Sequence, residues 1–292
     1  MDKLKILKAG KIASEIKKWI RPQIKKGVPL LEIAEKIENK IVELGGRPAF
    51  PTNLSIDNIA AHYTPFYDDK TLAHGLLKVD FGVCIDGFLS DTAFSVDLEN
   101  SDENKKLIEA SEKALKNVMG IIGENISTKE IGIKIQETIE SFGFSPVINL
   151  SGHEMTEYDL HAGLTIPNVS KSSEDILEKG LYAIEPFATN GSGKVRDGKD
   201  SGIYVLIDDK NIRNSDARNI LKFIIKEYQT LPFCSRWLVK EFGTKALFAL
   251  RQLEQNGNLH NFAQLVENSG AKVSQTEQTV LIDEDEVIVT TE

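Results

Sequence analysis

Lys78-Val-Asp-Phe-Gly-Val-Cys-Ile-Asp-Gly-Phe-Leu-Ser-Asp-Thr-Ala93 consists of two short β-branched and aromatic runs folded back at Asp86-Gly87. That dipeptide favours a two-residue hairpin loop. With such a loop, Ile85 faces Phe88 and the pairing puts Asp91 opposite Gly82. Asp80 then lies on the same face, a diagonal neighbour of Asp91 about 7–8 Å away at the backbone. Gly82 is expected to leave open space between the two side chains. Two like charges aimed into one gap repel unless protons or cations occupy it, which is what a metal site needs. The alternative is a pair of solvated aspartates on an exposed face, and the hairpin alone does not choose between them.

Working outward, the chain has five histidines, and three of them sit in segments unlike their surroundings. His62 is in Ile59-Ala-Ala-His-Tyr-Thr-Pro65, an apolar strand-like run ended by proline. His153 follows Asn149-Leu-Ser-Gly, and His161 is in Leu160-His-Ala-Gly163. Each alone reads equally as a satisfied core residue, while His74 and His260 read as loop histidines. His153-Glu154 does not continue into a zinc-protease helix signature, because position 157 is Glu157. Glu185 interrupts the apolar run Leu181-Tyr-Ala-Ile-Glu-Pro-Phe-Ala188. A buried, unpaired carboxylate there is costly, so it needs a partner or a cation. Glu277 falls in the strand-like Val273–Ile282, where an outward-facing glutamate is the alternative.

Residues 2–25 and 29–44 show apolar positions at helical spacing, followed by strands through residue 97. Residues 102–122 and 127–142 repeat the order helix, helix, strands, the second opening with the capping box Ser127-Thr-Lys-Glu130. Two halves meeting at a central sheet are therefore expected. From about 213 to 268 the pattern breaks into a helical insertion. Within it, Ala217–Tyr228 and Phe242–Leu253 read as helices joined by Thr230–Leu238.

Composition adds boundaries. A chain of 292 residues can bury a large core. No apolar run reaches membrane-spanning length, and Met1-Asp-Lys-Leu-Lys5 lacks a signal-peptide core. Two cysteines, Cys84 and Cys234, are too few for a disulfide framework and fit a reducing cytoplasm. A net charge of −9 opposes nonspecific nucleic-acid binding. The basic stretch Lys17–Lys26 reads as one solvated helix face.

Pro51-Thr-Asn-Leu-Ser with His62-Tyr-Thr-Pro, the Asp80/Asp91 hairpin, Ser151-Gly-His, Leu160-His-Ala-Gly, Ala183-Ile-Glu-Pro-Phe and Gln275-Thr-Glu together resemble the type II methionine aminopeptidases. The resemblance runs from about residue 2 to the C-terminus, and the short N-terminus is similar to the archaeal members. It implies an α+β pita-bread fold, with pseudo-twofold halves around a central antiparallel sheet. It also implies a winged-helix-like insertion in one catalytic domain spanning 1–292. A dinuclear metallopeptidase is implied, in which Asp80 chelates one metal, Asp91 and Glu277 bridge both, and His153 and Glu185 complete the other. Four carboxylates and an imidazole suit two divalent cations of manganese, iron(II) or cobalt, with zinc also compatible.

The resemblance further makes Glu185 a candidate proton shuttle and places His62 and His161 beside the scissile peptide bond. Phe50, Ile203 and the Pro232-Phe233 segment would line a methionine pocket. The implied substrate is the N-terminal methionine of nascent polypeptides ahead of a small, uncharged second residue. A cytoplasmic monomer is expected, with room for a transient ribosome contact and no direct nucleic-acid binding.

Two positions depart from the family pattern. Cys84 stands where histidine is usual, and by hairpin parity its thiol shares a face with Asp80, which would bring it near the site and make the enzyme sensitive to oxidation or to thiol-binding metals. Gln278 stands where histidine usually follows the glutamate, and it points away from Glu277. Two other readings compete: an Xaa-Pro peptidase of the same fold, and a non-enzymatic ribosome- or RNA-binding homologue. The former usually carries an extra N-terminal domain, and the latter has lost metal ligands.

Overall fold

The computed structural model describes residues 1–170, 175–284 and 286–292. The N-terminal half runs α1 (Lys3–Ile20), a 3-10 turn (Arg21–Gln23), α2 (Leu30–Glu43), β1 (Arg47–Pro48), β2 (Asn53–Ile56), β3 (Ile59–Ala61), β4 (Leu76–Ile85) and β5 (Phe88–Asp97). The second half repeats the order with α3 (Asp102–Met119), α4 (Thr128–Ser141), β6 (Ser145–Pro146), β7 (Ser151–Met155), β8 (Thr165–Pro167), β9 (Gly180–Ile184) and β10 (Phe187–Thr189). Next come β11 (Val195–Leu206), α5 (Ser215–Glu227), β12 (Phe233–Cys234), α6 (Ser235–Phe242), α7 (Lys245–Gln255) and β13 (Leu259–Glu267). The chain closes with β14 (Val273–Gln275), β15 (Gln278–Ile282) and β16 (Val287–Val289).

The β4–β5 hairpin has the expected register, Ile85 opposite Phe88 and Gly82 opposite Asp91. Asp86 and Gly87 both take positive φ, 49° and 92°, as a twist-matched two-residue loop requires. Strand parity then divides each long strand between two faces. In β4, Leu77, Val79, Phe81 and Val83 pack on Ile16, Ile20, Ile33 and Ile37 of α1 and α2. Each such fully buried isoleucine contributes about 1.5–3 kcal/mol. Asp80, between those positions, must face the other way.

The second half follows the same rule. Tyr182 and Ile184 of β9, with Val280 and Ile282 of β15, pack on Leu107, Ile131 and Ile135 of α3 and α4. Their neighbours Leu181, Ala183 and Leu281 point to the opposite side, where they join Leu89 of β5. A backbone bridge between Ala93 and Glu277 ties the two halves together. The Ser127–Glu130 capping box forms as the sequence suggests. The repeated helix, helix, strands order and the antiparallel sheets give the α+β architecture of two similar halves that the sequence suggests.

The inserted helices α5, α6 and α7 have their own core of Ile220, Ile224, Leu238, Leu250 and Leu253. Ala217, Ile220, Leu221 and Ile224 recur at helical spacing along α5. The joining segment contains a helix of its own, α6, which Gly243 ends at φ 73°. The last part of the 213–268 stretch is sheet: β13 pairs with β11 from Leu206↔Leu259 to Val195↔Glu267, and with β3. Among the described residues, no helix is long and apolar enough to cross a membrane.

Candidate metal centre

Asp80, Asp91, His153, Glu185 and Glu277 all line one cavity of about 360 Å³. Parity delivers four of them: Asp80 on β4, Asp91 opposite Gly82 on β5, Glu185 continuing the Leu181–Ala183 face, and Glu277 continuing that of Thr279 and Leu281. His153 on β7 is the register partner of Ala183. The backbone around the joint is fixed by hydrogen bonds. The Glu277 N–H donates to Ala93 O at 2.9 Å, and Thr92 Oγ1 donates to Glu277 O at 3.0 Å. Thr279 Oγ1 accepts from Asp91 N and donates to Asp91 O, both at 2.7 Å.

Ligand atoms of Asp91, His153 and Glu277 lie within 4.8 Å of one another. His153 Nε2 is 3.7 Å from Asp91 Oδ2 and 3.9 Å from Glu185 Oε1. Gln275 Nε2 reaches both Asp80 Oδ2 and Glu185 Oε2 at 3.4 Å. Sequence reading did not single out Gln275, although it sits two residues before Glu277 and so shares its strand side.

The electrostatics call for cations. Burial pushes the Asp80 carboxyl up to about 7. It pushes Asp91, Glu185 and Glu277 well above the carboxylate range, and their mutual repulsion adds to the effect. Among the described residues, the only basic side chain within 4 Å of these carboxylates is that of His153. Burial and the neighbouring His161 lower His153 to about 3, so its imidazole is neutral and fit to ligate. Asp80 Oδ1 and Asp91 Oδ1 are buried without a hydrogen-bond partner. An uncompensated cluster of this kind is costly, and an oxygen-rich donor set fits hard or borderline divalent cations.

At the rim, His62 takes a left-handed φ of 62° and its Nδ1–H donates to Ala263 O at 3.2 Å. Burial holds its pKa down to about 4, leaving a neutral ring with Nε2 as an acceptor. His161 stacks edge-on against His153 with centroids 4.5 Å apart, and burial lowers its pKa. Phe50, Ile203 and Pro232 line the same cavity, together with Asn53, Phe262 and Leu265. Phe262 and Leu265 arrive on β13, which local sequence could not connect to this site.

Several expectations are corrected. The space beside Gly82 is not open: a Cβ there would sit 2.6 Å from Phe50 Cε1 and 2.9 Å from Ala49 Cβ. Glycine is required so that the Phe50 ring can lie against the sheet beside the aspartates. The Cys84 thiol does not reach the metal cavity. It lines a separate space of about 60 Å³ with Arg47, Tyr158 and Pro232, accepts the Gly87 N–H at 3.3 Å, and is driven up in pKa by burial. Lys17 is not solvated like its neighbours, since its Nζ donates to Thr291 O at 2.6 Å. Gln278 is not among the residues lining the cavity. His74 is an exposed loop histidine as expected, whereas His260 is not in a loop: it is exposed on β13, paired with Val205 of β11.

Residues 5–222 match the model of metallopeptidase family M24. The methionine aminopeptidase of Pyrococcus horikoshii is 44% identical over 297 residues, covering 100% of both chains. Among solved structures, a thermophilic Arx1 aligns with a TM-score of 0.85 at 14% identity, over 98% of this chain and 90% of the other. The methionine aminopeptidase of Thermotoga maritima aligns with a TM-score of 0.70 at 20% identity, over 99% of this chain and 95% of the other. The structural likenesses establish the fold, and the full-length identity establishes the family. This chain belongs to the M24 metallopeptidases and, among them, to the methionine aminopeptidases.

Proposed function

We propose that this chain removes the N-terminal methionine from nascent polypeptides whose second residue is small and uncharged. The reading is carried by one observation: ligand atoms of Asp91, His153 and Glu277 gather within 4.8 Å at the base of a cavity with apolar Phe50, Ile203 and Pro232 on its wall. Asp80, Asp91, His153, Glu185 and Glu277 would hold two divalent cations, from among manganese, iron(II), cobalt and zinc. When bound, such a pair supplies Lewis acidity toward the scissile carbonyl and lowers the pKa of the attacking water.

The chain's own groups do the rest. Glu185, steadied at Oε2 by Gln275, takes the water proton and returns it to the departing amide nitrogen. His62 is fixed as the Nδ1–H tautomer, so its Nε2 accepts a hydrogen bond from the substrate amide. His161, across the mouth, donates to the oxygen on which charge develops. The Phe50 ring, seated over Gly82, closes one side of the slot that takes the thioether side chain. A cytoplasmic monomer with at most a transient ribosome contact suits this role.

Full-length identity to a methionine aminopeptidase disfavours the Xaa-Pro alternative. The presence of all five candidate ligands disfavours a non-enzymatic one. Manganese- or cobalt-loaded protein should cleave a Met-Gly peptide, spare a Met-Lys peptide and an Xaa-Pro peptide, and carry metal. No release of methionine from Met-Gly by metal-loaded protein would refute the proposal.

A further inference from the structure

We infer that Arg236 of the insertion is a positioning residue for the methionine pocket, holding the Phe50–Asn53 wall and the His62–Pro65 turn together through Glu38. The inference rests on the aminopeptidase reading and adds the insertion's part in it. Arg236 and Glu38 are 5% and 7% exposed. Arg236 Nη1 donates to Glu38 Oε2 at 2.7 Å, and Nη2 donates to Oε1 at 2.8 Å. Glu38 belongs to α2 of the N-terminal half, and Arg236 to the first turn of α6, so the pair joins two separately packed cores.

The pair reaches the pocket through backbone. Glu38 Oε1 also accepts the Thr52 N–H at 3.2 Å, and Glu38 Oε2 accepts Trp237 Nε1 at 2.8 Å. Arg236 Nε donates to Pro65 O at 3.0 Å, while Nη2 lies 3.4 Å from Thr64 Oγ1. Thr64 Oγ1 in turn donates to Thr52 O at 2.9 Å. Both polar groups of the Thr52 backbone are thus held. Its neighbours Pro51 and Asn53 line the cavity, as does Phe50 beyond them.

On the other arm, Thr64 and Pro65 follow His62, whose left-handed backbone must be held by its surroundings. The insertion is registered at the same point, because Cys234 pairs with the pocket residue Ile203. A lysine could supply the charge but not three donors in a fixed plane. Buried ion pairs are often replaceable by apolar residues without loss of stability. Loss of this one should therefore appear in pocket geometry more than in folding.

The test compares wild type, Arg236→Lys, and the double variant Glu38→Gln/Arg236→Met, which leaves no ion buried alone. Each is loaded with manganese, and kcat and KM are measured on a Met-Gly peptide and a Leu-Gly peptide. Manganese content should be unchanged, kcat/KM on Met-Gly should fall by about 10²-fold, and the preference for methionine over leucine should shrink. Wild-type kcat/KM and preference in either variant would overturn the inference. So would activity lost in step with manganese, an equal loss on both peptides, or failure of both variants to fold, each of which assigns Arg236 to scaffolding. Wild type inert on both peptides would sink the aminopeptidase reading and this inference with it. Active wild type with an indifferent Arg236→Lys would sink this inference alone.

Discussion

The floor of the cavity comes mostly from strands, where alternation forces every second residue toward the site; its rim comes from strand ends, turns and the insertion. Asp80, Asp91 and Glu277 sit between residues whose opposite faces are pinned by helices, and their backbones are cross-bonded at Ala93 and Thr279. His62, His161 and Pro232 have no such ladder, and His62 holds a left-handed backbone only because its surroundings constrain it. A rigid floor suits a cluster of buried charges that must not relax apart. A rim assembled from remote segments can be reshaped to select a side chain while the floor stays put.

That contrast breaks most clearly at the floor. Asp91→Asn should abolish metal retention and lower turnover by more than about 10³-fold, since several kcal/mol of transition-state stabilisation go with the metals. Metal analysis beside a Met-Gly assay checks both. At the rim, His62→Ala and His161→Ala should keep the metals and lose about 10²–10³ in kcat, the usual cost of one positioned polar group. Near-normal turnover in both would remove them from the reaction. Between floor and rim, Gln275→Leu should weaken metal affinity by about 10–100-fold, read by titration with a chelator, because it supports ligands without being one.

A subtler distinction comes from pH. In metal-free protein the floor carboxylates have raised pKa values, so the folded state binds protons more tightly than the unfolded chain. Their contribution to stability is therefore full below the ordinary carboxylate range. It is lost as pH rises through about 7, the value for Asp80, and beyond. Metal replaces those protons, so the stabilisation gained on adding manganese should grow from pH 5.5 to pH 8 by thermal melts. A gain that shrinks over that interval would mean the carboxylates are not the ligands.

The same division decides what could be read from sequence. The Asp86-Gly87 loop sets the hairpin register, so Asp80 and Asp91 could be placed on one face from local chemistry alone. The two-helix order of each half and the Ser127 cap were equally local. Phe50 filling the space at Gly82, the diversion of Cys84 to another cavity, and β13 bringing Phe262 to the pocket depend on contacts between distant segments. Periodicity carries no information about those. The helix α6 was missed because eight residues ended by a glycine leave too short a pattern. His153, Glu185 and Glu277 were ambiguous singly and became a set only through the family resemblance.

Anomalous scattering from manganese-soaked crystals bears most directly on the whole account. Two peaks are expected, one bordered by Asp80 and one by His153 and Glu185, with Asp91 and Glu277 between them. Peaks elsewhere, or none among these side chains at saturating manganese, would contradict it.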